Sequence, residues 1–283
     1  MTRLPWIGVL FILVVSWFPP AAGAAPGRIS FRIYGGGAYV SGGDLNDGLQ
    51  GWADFWKANY AYQGSPYKAG AYKPVHVGFD FGGEVVFSIT SRLGIGLGAE
   101  FLRAKQTTNM TFQPDIDWTF SGEPSVVPVK LSIFYGLPAG KSFRVVLQAG
   151  LGYYFAQARL ESHRKPPRLI DYVIDSSAKG LGYHGGLGLE WDLSPRFALF
   201  IEAAGRYAPI SGFTGKTTVT DSSGTGSWDG KLYYFGASAS YIQSYNYIDL
   251  LAGEPGGAGL KFKREAKVDF SGLAARLGIA VRL

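Results

Sequence analysis

His76, His163 and His184 are the only histidines in this 283-residue sequence, and cysteine is absent. Acid–base chemistry near neutral pH would therefore fall to these three rings and their carboxylate neighbours. His76 and Asp80 stand four residues apart. In an extended chain they share a face, and a histidine beside a carboxylate can hold a base in place, but that spacing alone makes no hydrogen bond between them. Without cysteine, disulfide scaffolds and cysteine metal sites are excluded. The Gly-rich "GLGYHGG" imitates a nucleotide loop but falls mid-strand with no helix after it, and "NMT" (109–111) fits the glycosylation triplet by chance. The formal charge is +6, yet the densest basic run, "KFKREAK", is short, so nucleic acid is not an expected partner. No cofactor is expected.

The elements that carry these residues read as strands. In the closing "FSGLAARLGIAVRL", alternate residues Leu273, Ala275, Leu277, Ile279, Val281 and Leu283 are all apolar. Those between are Gly272, Ala274, Arg276, Gly278, Ala280 and Arg282. Side chains alternate across a strand, so one strand here meets two unlike environments. A wet face normally carries Lys, Glu, Thr and Ser; glycine marks a crowded one. The same pattern recurs at 28–40, 75–89, 92–102, 126–135, 143–155, 181–193 and 197–207, which makes about eight strands. A ten-strand alternative is opened by "GKLYYFGASASYIQSYNYIDL" (230–250), which reads as a hairpin extending past the others.

None of the apolar rows carries a charge. On a lipid face at mid-membrane each Arg or Lys would cost roughly 2–4 kcal/mol. The charges fall on the other face. Arg32, Lys130, Arg144, Arg206, Arg276 and Arg282 balance Asp80, Glu84, Glu100, Glu190, Asp192 and Glu202, with His76 and His184 on the same face. A narrow closed barrel needs such a balance, because an unpaired buried charge is expensive. Glu84, Glu100, Arg144, Glu202, Arg206 and Arg276 are expected to include the core ion pairs.

Connections alternate. Those near 90–91, 136–141 and 194–195 are short; those at 41–74, 104–125, 158–179 and 209–267 are long. That asymmetry belongs to outer-membrane barrels and puts both termini on the periplasmic side. Aromatic residues fall at both ends of the strands, with Phe87, Tyr135, Phe143, Trp191 and Phe197 near the short turns. Phe79, Phe101, Tyr153, Phe155, Tyr183 and Tyr207 stand near the long loops. "DLNDGLQGWADFWKANYAY" (44–62) spaces Leu45, Leu49, Trp52, Trp56 and Tyr60 as a helix packing against other loops or lying at the membrane surface. Arg3, the apolar run "WIGVLFILVVSWF" and Ala22-x-Ala24 read as an export signal over 1–24, leaving a barrel domain over 25–283.

With the signal, the alternation and the terminal strand, the chain resembles the small outer-membrane β-barrel family, which includes OmpA transmembrane-domain, OmpX- and OmpW-like proteins. The resemblance implies an all-β, membrane-spanning, antiparallel up-and-down barrel with long outer loops. It also implies outer-membrane lipids and the barrel-assembly machinery as partners. Members commonly end on an aromatic residue; this chain ends on Leu283. The expected function is non-catalytic, a structural or surface-interaction role through the loops, with an extracellular partner the sequence does not name. A narrow OmpW-like channel for small solutes is the alternative. A lipid- or peptide-hydrolysing barrel is the third reading. "HGGLGLE" (184–190) lacks the serine that follows the histidine in lipid A deacylase barrels, and Asp115 and Asp117 only permit a comparison with barrel proteases.

Overall fold

The computed structural model describes residues 28–283 apart from 166–168, 240–241 and 258. The expected export segment 1–24 lies outside the described residues. Eight strands form the ring: β1 (Ile29–Tyr39), β2 (Val77–Ser88), β3 (Leu93–Ala104) and β4 (Ile116–Pro138), then β5 (Phe143–Arg164), β6 (Ile170–Asp192), β7 (Phe197–Tyr207) and β8 (Gly272–Arg282). Each pairs antiparallel with the next. β8 returns to β1, with Ser30 opposite Arg282 and Ala38 opposite Ala274. Closure matters because hydrocarbon offers no partner for a backbone N–H or C=O, so a spanning sheet must have no open edge. No helix among the described residues is long and apolar enough to cross a membrane.

The outward row is apolar and exposed, as Leu97, Leu131, Leu151, Leu187, Leu277 and Ile279 illustrate. A contiguous apolar surface of this extent on a closed ring marks contact with membrane. Phe87, Phe143, Trp191 and Phe197 stand exposed near the short turns, and Phe79, Tyr153, Phe155, Tyr183 and Tyr207 near the other end. Tyr135, expected among the former, is only 5% exposed.

Two connections, 104–125 and 158–179, differ from expectation. Residues 116–125, 158–164 and 170–179 are not loop: β4, β5 and β6 run through them without a break, to 23, 22 and 23 residues. They rise beyond the other strands, and their faces exchange character as they do. On β5 the outward row reads Leu151, Tyr153, Phe155 and then Gln157, Arg159, Glu161. The inward row reads Gln148, Gly150, Gly152 and then Tyr154, Ala156, Ala158, Leu160, and these last four are buried. Lower down, lipid touches the outside and charge fills the inside; higher up, water touches the outside and an apolar core fills the inside. The alternation persists but its sign reverses, so a pattern search tuned to one sign ends the strand at the reversal.

The upper strands and loops build a cap. Strand 106–112 pairs with the upper part of β4, and 67–70 pairs with it in turn. Strand 214–221 pairs with the upper part of β6 and with strand 224–239. The latter also pairs with 242–251 and 262–265, so the expected hairpin over 230–250 forms within the cap while the ring stays at eight. Inside lies α1 (Asp44–Tyr62), with Leu45, Leu49, Trp52 and Tyr60 buried. Trp52 Nε1 donates to Ile248 O at 2.9 Å and meets Phe120 and Tyr172 edge to face. Arg264 grips Asp44 with both guanidinium nitrogens, fixing the start of the helix to the loop before β8.

Candidate functional site: a charge-packed lumen

Inward rows of all eight strands converge on one polar network. Arg276, on β8, donates to Asp80 (2.7 Å) and Glu100 (2.7 Å) on β2 and β3, and to Glu202 (3.2 Å) on β7. Lys130, on β4, lies 3.0 Å from both Glu84 and Glu100. Arg32, on β1, bridges Glu190 (3.0 Å) and Glu202 (3.5 Å). Toward the short turns, Arg282 bonds Glu190 and reaches Asp192 at 2.5 Å, and Arg144 stands 3.5 Å from Asp192. At the other end Arg206 lies 3.7 Å from Glu100 and 3.9 Å from Asp80, and donates to the carbonyls of Phe270 and Tyr39.

The structure thus brings Arg32, Asp80, Glu84, Glu100, Lys130, Glu190, Glu202, Arg206, Arg276 and Arg282 into one chain of contacts. Arg144 stands apart from the core pairs: its side chain is a quarter exposed, at the short-turn mouth. His76 is not in the lumen. It precedes β2, stacks on the outward Tyr39 at 4.8 Å, and its Nδ1 lies 2.8 Å from Val40 O. The alternation fails there because the chain is not in the ring before Val77: Asn46 of α1 bonds both the N–H and C=O of Val75 and draws it into the cap. His76 and Asp80 therefore form no pair.

Sequence reading missed three members. Tyr34 O accepts from Lys130 Nζ at 2.6 Å and its hydroxyl donates to Glu100 at 3.2 Å. Phe134 and Phe200 carry the Arg32 guanidinium, at 5.4 and 4.0 Å from their ring centres. All three occupy inward positions, but apolar or aromatic type gave no hint of a charge partner. The inward glycines make this packing possible. A Cβ on Gly98 would stand 2.3 Å from Glu84 Cγ, and one on Gly278 would stand 2.3 Å from Phe200 Cζ.

Catalysis needs a reacting group that substrate can reach. His184 Nε2 lies 2.9 Å from Ser132 Oγ, the contact of a base and a nucleophile. Ser132 is 1% exposed, and the cavity beside His184 holds about 10 Å³, room for about one water. His163 pairs with Asp171 at 2.9 Å on the outer face of the cap. Among the described residues no cluster has the composition to hold a metal ion.

The sequence profile of the family described as outer membrane protein beta-barrel domain matches residues 8–242. No curated protein matches. Similar solved structures include OprG from Pseudomonas aeruginosa, at 13% identity over 92% of this chain and 98% of that one, TM-score 0.38. The outer membrane protease OmpT from Escherichia coli is 8% identical over 93% and 99%, TM-score 0.41. AlkL, determined in DMPC bilayers, is 13% identical over 95% of each chain, TM-score 0.32. With the profile spanning most of a chain that closes into an eight-stranded ring, the chain belongs to the outer membrane protein beta-barrel domain family and is a protein of the bacterial outer membrane.

Proposed function

We propose that this protein is a non-catalytic, non-conducting barrel whose work is done by its cap, presented on the outside of the cell as a folded interaction surface. The observation that carries the reading is the filled interior. Ion pairs pack the lumen at membrane height, and the cap core of Tyr154, Phe213, Phe270, Leu45 and Trp52 closes it above. Eight strands enclose little more than their own side chains. Export through a cleaved segment 1–24, insertion by the barrel-assembly machinery, contact with outer-membrane lipids and periplasmic termini all belong to this reading. The short turns and the taller cap strands support that orientation.

Planar-bilayer recording of the purified, refolded protein tests it. Silence is the expected result; a steady open current would replace this reading with that of a narrow solute channel. A loss of envelope lipid or peptide hydrolysis in His184→Ala would replace it with an enzyme.

A further inference from the structure

The reversal of polarity along β4, β5 and β6 leaves a trough on the outer wall of the barrel. Three outward rows run side by side across these strands where the polarity changes. The lower row is Val127, Phe155 and Lys179. The middle row is Ser125, Gln157, Ser177 and Thr214, the last on strand 214–221. The upper row is Glu123, Arg159 and Asp175. Short side chains predominate in the middle row, so it forms the floor. Two hollows of about 380 and 700 Å³ meet on that floor, and all four of its residues line both. Each hollow falls within the range of about 300–1,000 Å³ that small-ligand sites occupy.

The hydrogen-bonding groups of the floor are uncommitted. Among the described residues Ser125, Gln157, Ser177 and Thr214 make no side-chain hydrogen bond. Higher on the same outer face such groups are tied to one another: Thr119 donates to Asn109 and Thr111 to Asp117, each at 2.9 Å, and Thr220 and Thr225 lie 3.0 Å apart. The charges of the upper wall are also spent locally. Arg159 holds Glu161 (2.7 Å) and Asp175 (2.9 Å), and Glu123 holds Arg103 and Lys105. In the lower wall, Val127 and Phe155 are exposed and continue the lipid-facing rows of β4 and β5. Lys179 tops the lipid-facing row of β6. It has no carboxylate within ion-pair distance among the described residues and lies over the Phe155 ring at 5.5 Å.

We infer that this trough is a docking site for a glycolipid of the outer leaflet. Its occupant meets hydrocarbon along the lower edge and water along the upper one. An acyl chain suits Val127 and Phe155. Sugar hydroxyls both donate and accept, and so match the hydroxyls and amide of the floor. Lys179, with its stem along Phe155 and its ammonium at head-group height, complements an anionic substituent where sugar and chain join. An anionic phospholipid without sugar would use Lys179 and leave the floor idle; a free sugar would leave the lower wall bare. The inference rests on the cap lying outside the cell, as in the reading above. Conductance is a separate measurement, so a conducting lumen would end that reading of the lumen and leave this site in place.

The test uses the full chain refolded in zwitterionic micelles and a fluorescently labelled lipopolysaccharide of short sugar chain, with anisotropy as the readout. Unlabelled competitors are the same lipopolysaccharide, its acyl-free oligosaccharide, and phosphatidylglycerol. Saturable binding displaced by the whole glycolipid alone is expected. Gln157→Ala should weaken it about two- to tenfold, the range that one lost hydrogen bond gives. Ser177→Trp, which fills the floor, should weaken it about tenfold or more. Thr119→Ala, whose hydroxyl is already spent on Asn109, should leave it unchanged. Heat-modifiable migration confirms that each variant is folded. Displacement by phosphatidylglycerol as readily as by lipopolysaccharide would reduce the trough to ordinary lipid contact. Displacement by the oligosaccharide as readily would make it a soluble-sugar site. Either result overturns the proposal, as does absence of saturable binding, or Gln157→Ala and Ser177→Trp proteins that bind as the parent does.

Discussion

Glu100 collects Lys130, Arg276, Arg206 and the Tyr34 hydroxyl around one carboxylate. Removing it strands cations in a place water does not reach, and breaking a buried pair from one side costs about 3–5 kcal/mol. Glu100→Leu should therefore lower the thermal transition on heat-modifiability gels, and adding Lys130→Met should recover part of the loss. An unchanged transition in Glu100→Leu would mean that the carboxylate is not holding the network. In the cap, Asp249 presents a different single-residue effect. Burial pushes its carboxyl from 3.8 up to about 6, against the opposing hydrogen bonds from Tyr172 and the Leu250 N–H. The folded chain then holds that proton more firmly than the unfolded chain does. The contribution of Asp249 to stability is greatest below about pH 4, falls as pH rises toward 6, and is level above it, by on the order of 3 kcal/mol in all. Hydrogen exchange of strand 242–251, corrected for intrinsic rates, should speed up across that window. Asp249→Asn should remove the slope; a slope that survives the substitution assigns the effect to another group.

At the scale of the element, the reversal along β4, β5 and β6 makes neighbouring positions on one outward row unequal. Leu151 and Gln157 both point outward on β5 and are both exposed. Leu151→Arg should destabilise the refolded barrel by roughly 2–4 kcal/mol in vesicles, and Gln157→Arg by about 0–1 kcal/mol. Equal losses in urea titrations would mean that the row has one environment. This reversal also explains how far the sequence could be read. The eight strands and the ring were legible, and with them the inward face of most of the charges though not the place of Arg144 at the mouth, because lipid forbids charge on one row and a narrow lumen demands pairing on the other. The upper halves of β4–β6 were not, because Trp118, Phe120, Leu160 and Ile174 turn their apolar side inward while the outward row becomes polar. Read for a lipid face, that stretch looks like loop. His76 was misplaced for a related reason: periodicity assumes a continuing strand, but the strand begins at Val77 and the chain just before His76 is held by Asn46 of the cap helix, at Val75. The helix was legible from its spacing, but its place inside the cap depended on partners such as Ile248, nearly two hundred residues away.

For the whole molecule, the two fillings lie in series, and each is held by different physics. The lumen network depends on electrostatics between strands that hydrogen bonding already fixes in place. The cap core depends on apolar burial around α1, and that helix sits in no ladder of its own, since it touches strand 242–251 more than any barrel strand. Trp52 is its central contact, 2% exposed and bonded to Ile248 O. Trp52→Ala should cost about 3–5 kcal/mol, and that loss should fall on the cap alone. Limited proteolysis should then cut within 44–73 or 240–262, while the heat-modifiable barrel band and its thermal transition stay as in the parent. Because the ion pairs below remain intact, the loosened protein should still pass no steady current in a planar bilayer. A Trp52→Ala protein that conducts would show that the apolar cap, and not the charge network, is what closes the lumen. One whose barrel melts together with its cap would show that the two are a single cooperative unit.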